Sequence, residues 1–146
     1  MAVETRQAAL CVIRHKDAFL VAELRDPSTG AILHRPPGGG IEEGESPEQA
    51  VRRELREELG ISLTTVRALG TVDHVWFWEG REVRERAWLF LATSSDDARL
   101  SRGECPELVE ANGEHVKTFW RPIQEIAETL PPLCPCTLSD LLKSLA

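Results

Sequence analysis

Seven glutamates crowd the stretch from Glu42 to Glu58. Three of them, Glu54, Glu57 and Glu58, stand at helical spacing. At about 100° per residue, Glu58 falls about 40° to one side of Glu54 and Glu57 about 60° to the other. The three carboxylates therefore share an arc of roughly 100°. Like charges so placed repel, and beside an apolar stripe they cost stability unless something positive sits among them. A hard divalent cation that prefers oxygen ligands, magnesium or manganese, meets that need. Just upstream, Gly38, Gly39 and Gly40 have no side chains to block close approach. Their backbone can offer carbonyls to a metal and amides to a phosphate. An acidic helix is often only a solvated face. The conjunction of a glycine turn, a well-capped helix and Arg53 one turn before Glu57 points instead to a metal–phosphate site.

The elements that must hold these groups can be read from pattern. Ser46 is the expected N-cap of the acidic helix, Pro47 fits its first position and Gln49 completes a capping box. Gly60 is a stop, so the helix spans about Pro47 to Leu59. Val51, Leu55 and Leu59 form its apolar stripe, and Arg52 and Arg56 are expected on the solvent side. Before the glycines, AALCVI and AFLVAEL read as strands around a short turn, and AILHR as an extension of strand. After the helix, ISLTTVRALG, TVDHVWFW and EVRERAWLFLA read as strands. The segment from Ser94 to Glu114 is expected to be a long, polar, partly helical loop. HVKTFW follows as a strand, PIQEIAETL as a short helix, and TLSDLLKSLA as a closing helix with Thr137 as its cap. Strands on both sides of a helix imply mixed α/β layers around one sheet.

The acidic segment resembles the Nudix box, in which Gly39, Glu45, Arg53, Glu54, Leu55, Glu57, Glu58, Gly60 and Ile61 occupy every fixed place. The resemblance implies a Nudix-like α/β/α sandwich around a mixed sheet, with residues 1–146 as a single domain. It further implies a pyrophosphohydrolase in which water attacks phosphorus of a nucleoside diphosphate derivative or a nucleoside triphosphate. By the same resemblance, Glu54, Glu57 and Glu58 with the carbonyl of Gly38 are the metal ligands, Mg²⁺ or Mn²⁺ being the cofactor. Arg53 orients a box glutamate and Glu45 supports the loop. The proton acceptor is either a box glutamate, Glu54 first, or one of Glu104, Glu107, Glu110 and Glu114 on the later loop, Glu114 first. The alternative is a nucleotide sensor or adaptor that keeps the fold without turnover.

Other residues bear on what is bound. Trp76 and Trp78 share one face of a strand, and an indole can stack on a base. The competing role is core packing. Arg25 and Arg35 lie near the glycines and are candidate phosphate contacts. Trp88 and Phe90 share a face with Arg84 and Arg86. His15, His74 and His115 are expected in turns or at the surface. Lys and Arg total 17 against 24 Asp and Glu, a net charge of −7. That balance disfavours a duplex nucleic-acid partner, while a small nucleotide on a divalent cation remains compatible with it. Four cysteines are too few for a disulfide scaffold, and Cys11 reads as a buried small hydrophobe. No apolar run approaches membrane-spanning length. A cytoplasmic protein with no membrane partner is expected, with room for a homodimer.

Overall fold

The computed structural model describes residues 4–95, 98–124 and 130–144. In chain order the elements are β1 (Thr5–His15), β2 (Ala18–Arg25), β3 (Ile32–Arg35), β4 (Gly38–Gly40), α1 (Pro47–Leu59), β5 (Leu63–Trp78) and β6 (Arg81–Ser95). They continue with α2 (Ala98–Ser101), β7 (Leu108–Val109), β8 (His115–Val116), β9 (Thr118–Pro122) and α3 (Leu138–Lys143). The main sheet runs β3-β2-β1-β6-β5, with β4 pairing β1 and β9 pairing β2. Among the described strands, β1 and β6 pair in parallel and the other ladders are antiparallel, so the sheet is mixed.

Strand β1 divides the core by its pleat. Ala9, Cys11 and Ile13 pack with Ala50, Val51, Leu55 and Leu59 of α1. Leu10 and Val12 point the other way and pack with Leu138 and Leu142 of α3. Alternate residues of one strand thus feed two hydrophobic layers, which is the two-residue period of a fully buried strand. The result is the expected α/β/α arrangement.

Helix α1 begins as its sequence dictates. Ser46 Oγ accepts from the Gln49 amide at 3.1 Å, and Gln49 Oε1 accepts from the Ser46 amide at 2.8 Å. The helix ends on Gly60 at φ 67°, a left-handed conformation that favours glycine. Arg56 is exposed, but Arg52 is not given over to solvent: its guanidinium donates to the Leu63 carbonyl at 2.6 Å, tying α1 to β5.

Four expectations about the elements are corrected. The glycine run is a strand rather than a turn, pairing Gly38, Gly39 and Gly40 with Leu10, Ala9 and Ala8. The two strands proposed after α1 are one, β5, kinked by irregular register near Gly70. HVKTFW is split, because β8 pairs β7 whereas β9 crosses to β2. Thr137 precedes α3 in helical conformation and makes no side-chain cap bond. The helix expected over PIQEIAETL falls largely on residues 125–129, outside the described residues. Among the described residues, no helix is long and apolar enough to cross a membrane.

Candidate active site

A cleft of about 430 Å³ opens where β4, α1, the β5–β6 hairpin and the β7–β8 turn meet. One end is acidic, lined by Gly38, Gly39, Gly40, Glu54, Glu58 and Glu110. The other is aromatic and basic, lined by Arg35, Trp76 and Trp78. Arg6 of β1 belongs to both, lying beside Gly40 and 3.6 Å from the buried carboxylate of Glu85.

The acidic end depends on glycine for steric reasons. A Cβ on Gly38 would stand 2.1 Å from the Ala9 carbonyl oxygen, and the residue holds φ 142°. A Cβ on Gly39 would lie 2.7 Å from the Glu54 carboxyl carbon. Bare backbone at both positions lets β4 lie against β1 while α1 delivers its carboxylates to the same place.

Arg53 organises this end. It grips Glu45 with two bonds of 2.7 and 2.8 Å and donates to the Gly40 carbonyl at 3.0 Å. It also reaches Glu54 at 3.0 Å and Glu57 at 3.2 Å. The planar fork of five N–H groups allows one side chain to fix loop, strand and helix together. The hydrogen bonds from Arg53 hold the Glu45 carboxyl at about 2.

Glu57 departs from expectation. Its side chain is 59% exposed and turns toward Arg53, so it does not line the cleft. Glu114 departs as well. It is exposed on the far side of the β7–β8 turn, closed by a bond from the Glu110 amide to the Glu114 carbonyl. Glu110 is the loop glutamate that faces Glu58 across the cleft. Burial, and then the charge of Glu114, raise its carboxyl above the ordinary range. Glu104 is paired with Arg102 and Glu107 with His115.

At the other end, Glu85 is the hub. Only 1% exposed, it accepts from Arg35 at 2.7 Å and lies 2.9 Å from His74 Nε2. Burial pushes its carboxyl up, but the His74 hydrogen bond and the Arg35 charge outweigh this and hold it at about 2. The Arg35 guanidinium lies 5.1 Å from the Trp76 ring centre, and His74 stacks on the same indole at 6.4 Å. Trp76 and Trp78 meet with centroids 5.6 Å apart. His74, expected in a turn or at the surface, instead has a buried side chain on β5. Arg25 is outside the cleft, donating to the Gly30 carbonyl across the β2–β3 turn. Trp88 packs against the core and donates to Gln7, while Arg84 and Arg86 pair with Glu82 and Asp73.

The NUDIX domain family model matches residues 4–135. The chain belongs to the Nudix family. It is 33% identical over 105 residues to an RNA pyrophosphohydrolase of Photobacterium profundum, an alignment covering 62% of this chain and 58% of that protein. The chain thus spans less than two thirds of the curated relative it matches. Among solved structures it is similar to a MutT NUDIX hydrolase from Burkholderia pseudomallei, with TM-score 0.71 and 27% identity, covering 99% of this chain and 100% of that one. It is also similar to the E. coli ORF135 protein, with TM-score 0.62 and 27% identity over 98% and 89% of the two chains.

Nudix enzymes generally use a divalent metal, and this member's donor set can be tested for one. Glu58 lies beside Glu54 and the Gly38 amide, yet among the described residues its buried Oε1 has no partner. Burial first, then the bond and charge of Glu54 and the charge of Glu110, push the Glu58 carboxyl up to about 9. A buried all-oxygen corner short of positive charge suits a hard cation. Among the described residues, no three His, Cys, Asp or Glu side chains are grouped closely enough to hold an ion by themselves. The fit is with two carboxylates, Glu54 and Glu58, plus backbone and substrate oxygens.

The pattern alone missed Arg6, Glu85 and His74, and ranked Glu110 below Glu114. For Glu110 a signal existed. It lies two residues beyond Leu108, which is 1% exposed and packed in the α1 layer, so strand alternation puts both on one face.

Proposed function

We propose that this Nudix family member hydrolyses a diphosphate linkage in a nucleoside triphosphate or nucleoside diphosphate derivative, with Mg²⁺ as its cofactor. The observation that carries the reading is the meeting of Glu54, Glu58 and Glu110 over the side-chain-free Gly38–Gly40 strand. Glu54, Glu58 and the Gly38 carbonyl would hold the cation. A bound divalent ion screens the diphosphate charge and lowers the pKa of a coordinated water.

The chain's own groups perform the remainder. Glu110, whose carboxyl sits above its ordinary range, accepts the proton of the attacking water, a role suited to a base tuned toward neutral pH. Arg53 keeps Glu54 in place through the Glu45–Gly40 clamp. Arg6, half exposed beside Gly40, meets the phosphate oxygens. The nucleoside lies toward Trp76 and Trp78.

The test is product release from nucleoside triphosphates, nucleotide sugars, dinucleoside polyphosphates and a 5′-triphosphorylated RNA oligonucleotide, with and without Mg²⁺. The RNA arm is included because of what the Photobacterium relative is named for. Wild-type rates in a Glu54→Gln, Glu58→Gln double variant would sink the assigned site. Tight binding with no turnover of any substrate would favour the sensor reading.

A further inference from the structure

Resting on the reading above, we infer that the aromatic end of the cleft selects 6-oxopurines (guanine, hypoxanthine) over adenine. The basis is the direction of the hydrogen bonds offered there. The polar side chains at this end are Arg35, Trp76, Trp78 and, toward the phosphates, Arg6, and every one is a donor without acceptor capacity. The carboxylates of the cleft are Glu54, Glu58 and Glu110, grouped so that the charges of Glu54 and Glu110 both act on Glu58. Glu85 is buried behind the wall and already engaged by Arg35 and His74.

Arg35 is built to present an edge. One face lies against the Trp76 indole, one amino group is fixed by Glu85 at 2.7 Å and another lies 3.4 Å from Cys134 Sγ. Of its five N–H groups, three remain beyond those two contacts. Among the described residues, the buried Trp76 indole N–H has no acceptor. Arg35, buried and held by Glu85 at 2.7 Å, is less open to a phosphate than half-exposed Arg6, which shares that carboxylate at 3.6 Å. Arg35 remains a good donor to a neutral ring carbonyl or ring nitrogen, the acceptor pair that guanine presents and adenine does not. A base turning an amino group toward this wall would set donor against donor, and a site built for hydrogen bonding discriminates strongly on that ground.

The experiment measures binding of nucleoside monophosphates, which need not be hydrolysed, by calorimetry and tryptophan fluorescence in the presence of a chelator. GMP and IMP should bind at least about tenfold more tightly than AMP, and Arg35→Lys should bring the GMP to AMP ratio within about twofold. IMP binding like GMP assigns the effect to the shared carbonyl rather than to the guanine amino group. A wild-type ratio near unity, or one favouring AMP, overturns the inference and requires no variant. Arg35→Lys weakening all monophosphates by one common factor overturns it too, since that marks a phosphate contact. A preference that holds while no triphosphate is hydrolysed supports this inference and removes the hydrolytic one.

Discussion

Replacing Glu58 by Gln should stabilise the metal-free protein. Its carboxyl is buried beside Glu54, one oxygen has no partner among the described residues, and burial pushes its folded-state value up to about 9 against an ordinary 4.5. A group raised in this way contributes full stability below its unfolded value and loses it as pH rises toward the folded one. At pH 7 the protein is about 2.5 units past that starting point, and at about 1.4 kcal/mol per unit the loss is about 3 kcal/mol. Gln has the shape of the protonated acid and does not titrate. With a chelator present, Glu58→Gln should therefore gain about 3 kcal/mol at pH 7 and under about 1 kcal/mol at pH 5. Urea denaturation at constant slope reads this directly as a shift of midpoint. Added Mg²⁺ should reverse the ranking's cause: at about 100 times the dissociation constant it stabilises the wild type by about 2.7 kcal/mol and the variant by much less. A chelated variant less stable than wild type at pH 7, or a gap that does not change between pH 5 and 8, would refute the reasoning.

Other outcomes follow from the same geometry. Glu110→Gln should lower kcat by roughly 10²-fold or more, while Glu114→Gln stays within about twofold in the same steady-state assay. Gly38→Ala should cost more than about 3 kcal/mol or prevent folding, because its Cβ meets the immovable Ala9 carbonyl. Gly39→Ala meets only the end of Glu54; it should fold, yet bind divalent ions about 10–100-fold more weakly by titration calorimetry. Glu85, held at about 2, contributes stability above pH 4.5 that is lost as pH falls toward 2, about 3 kcal/mol in all. Acid denaturation of Glu85→Gln should lack that limb, and its stability at pH 7 should fall by about the same amount.

What the sequence determined by itself was local and periodic. The capping pair Ser46 and Gln49, the stop at Gly60 and the Val51–Leu55–Leu59 stripe follow from rules acting within one turn of a helix, and each is found as read. The shared face of Glu54 and Glu58 on α1 was legible for the same reason, as was the shared face of Trp76 and Trp78, and all four line the cleft. Only the tertiary structure could decide matters that join distant segments. Glu85 is brought to Arg35 from fifty positions away and made a hub by burial that no window of sequence displays. Glu57 turns to Arg53, which also holds Glu45 and the Gly40 carbonyl, and it does not line the cleft. Glu110 replaces Glu114 because a five-residue turn reverses the chain between them. Spacing along a chain fixes direction only while the backbone stays regular; past a turn or across a sheet, packing sets which charges meet.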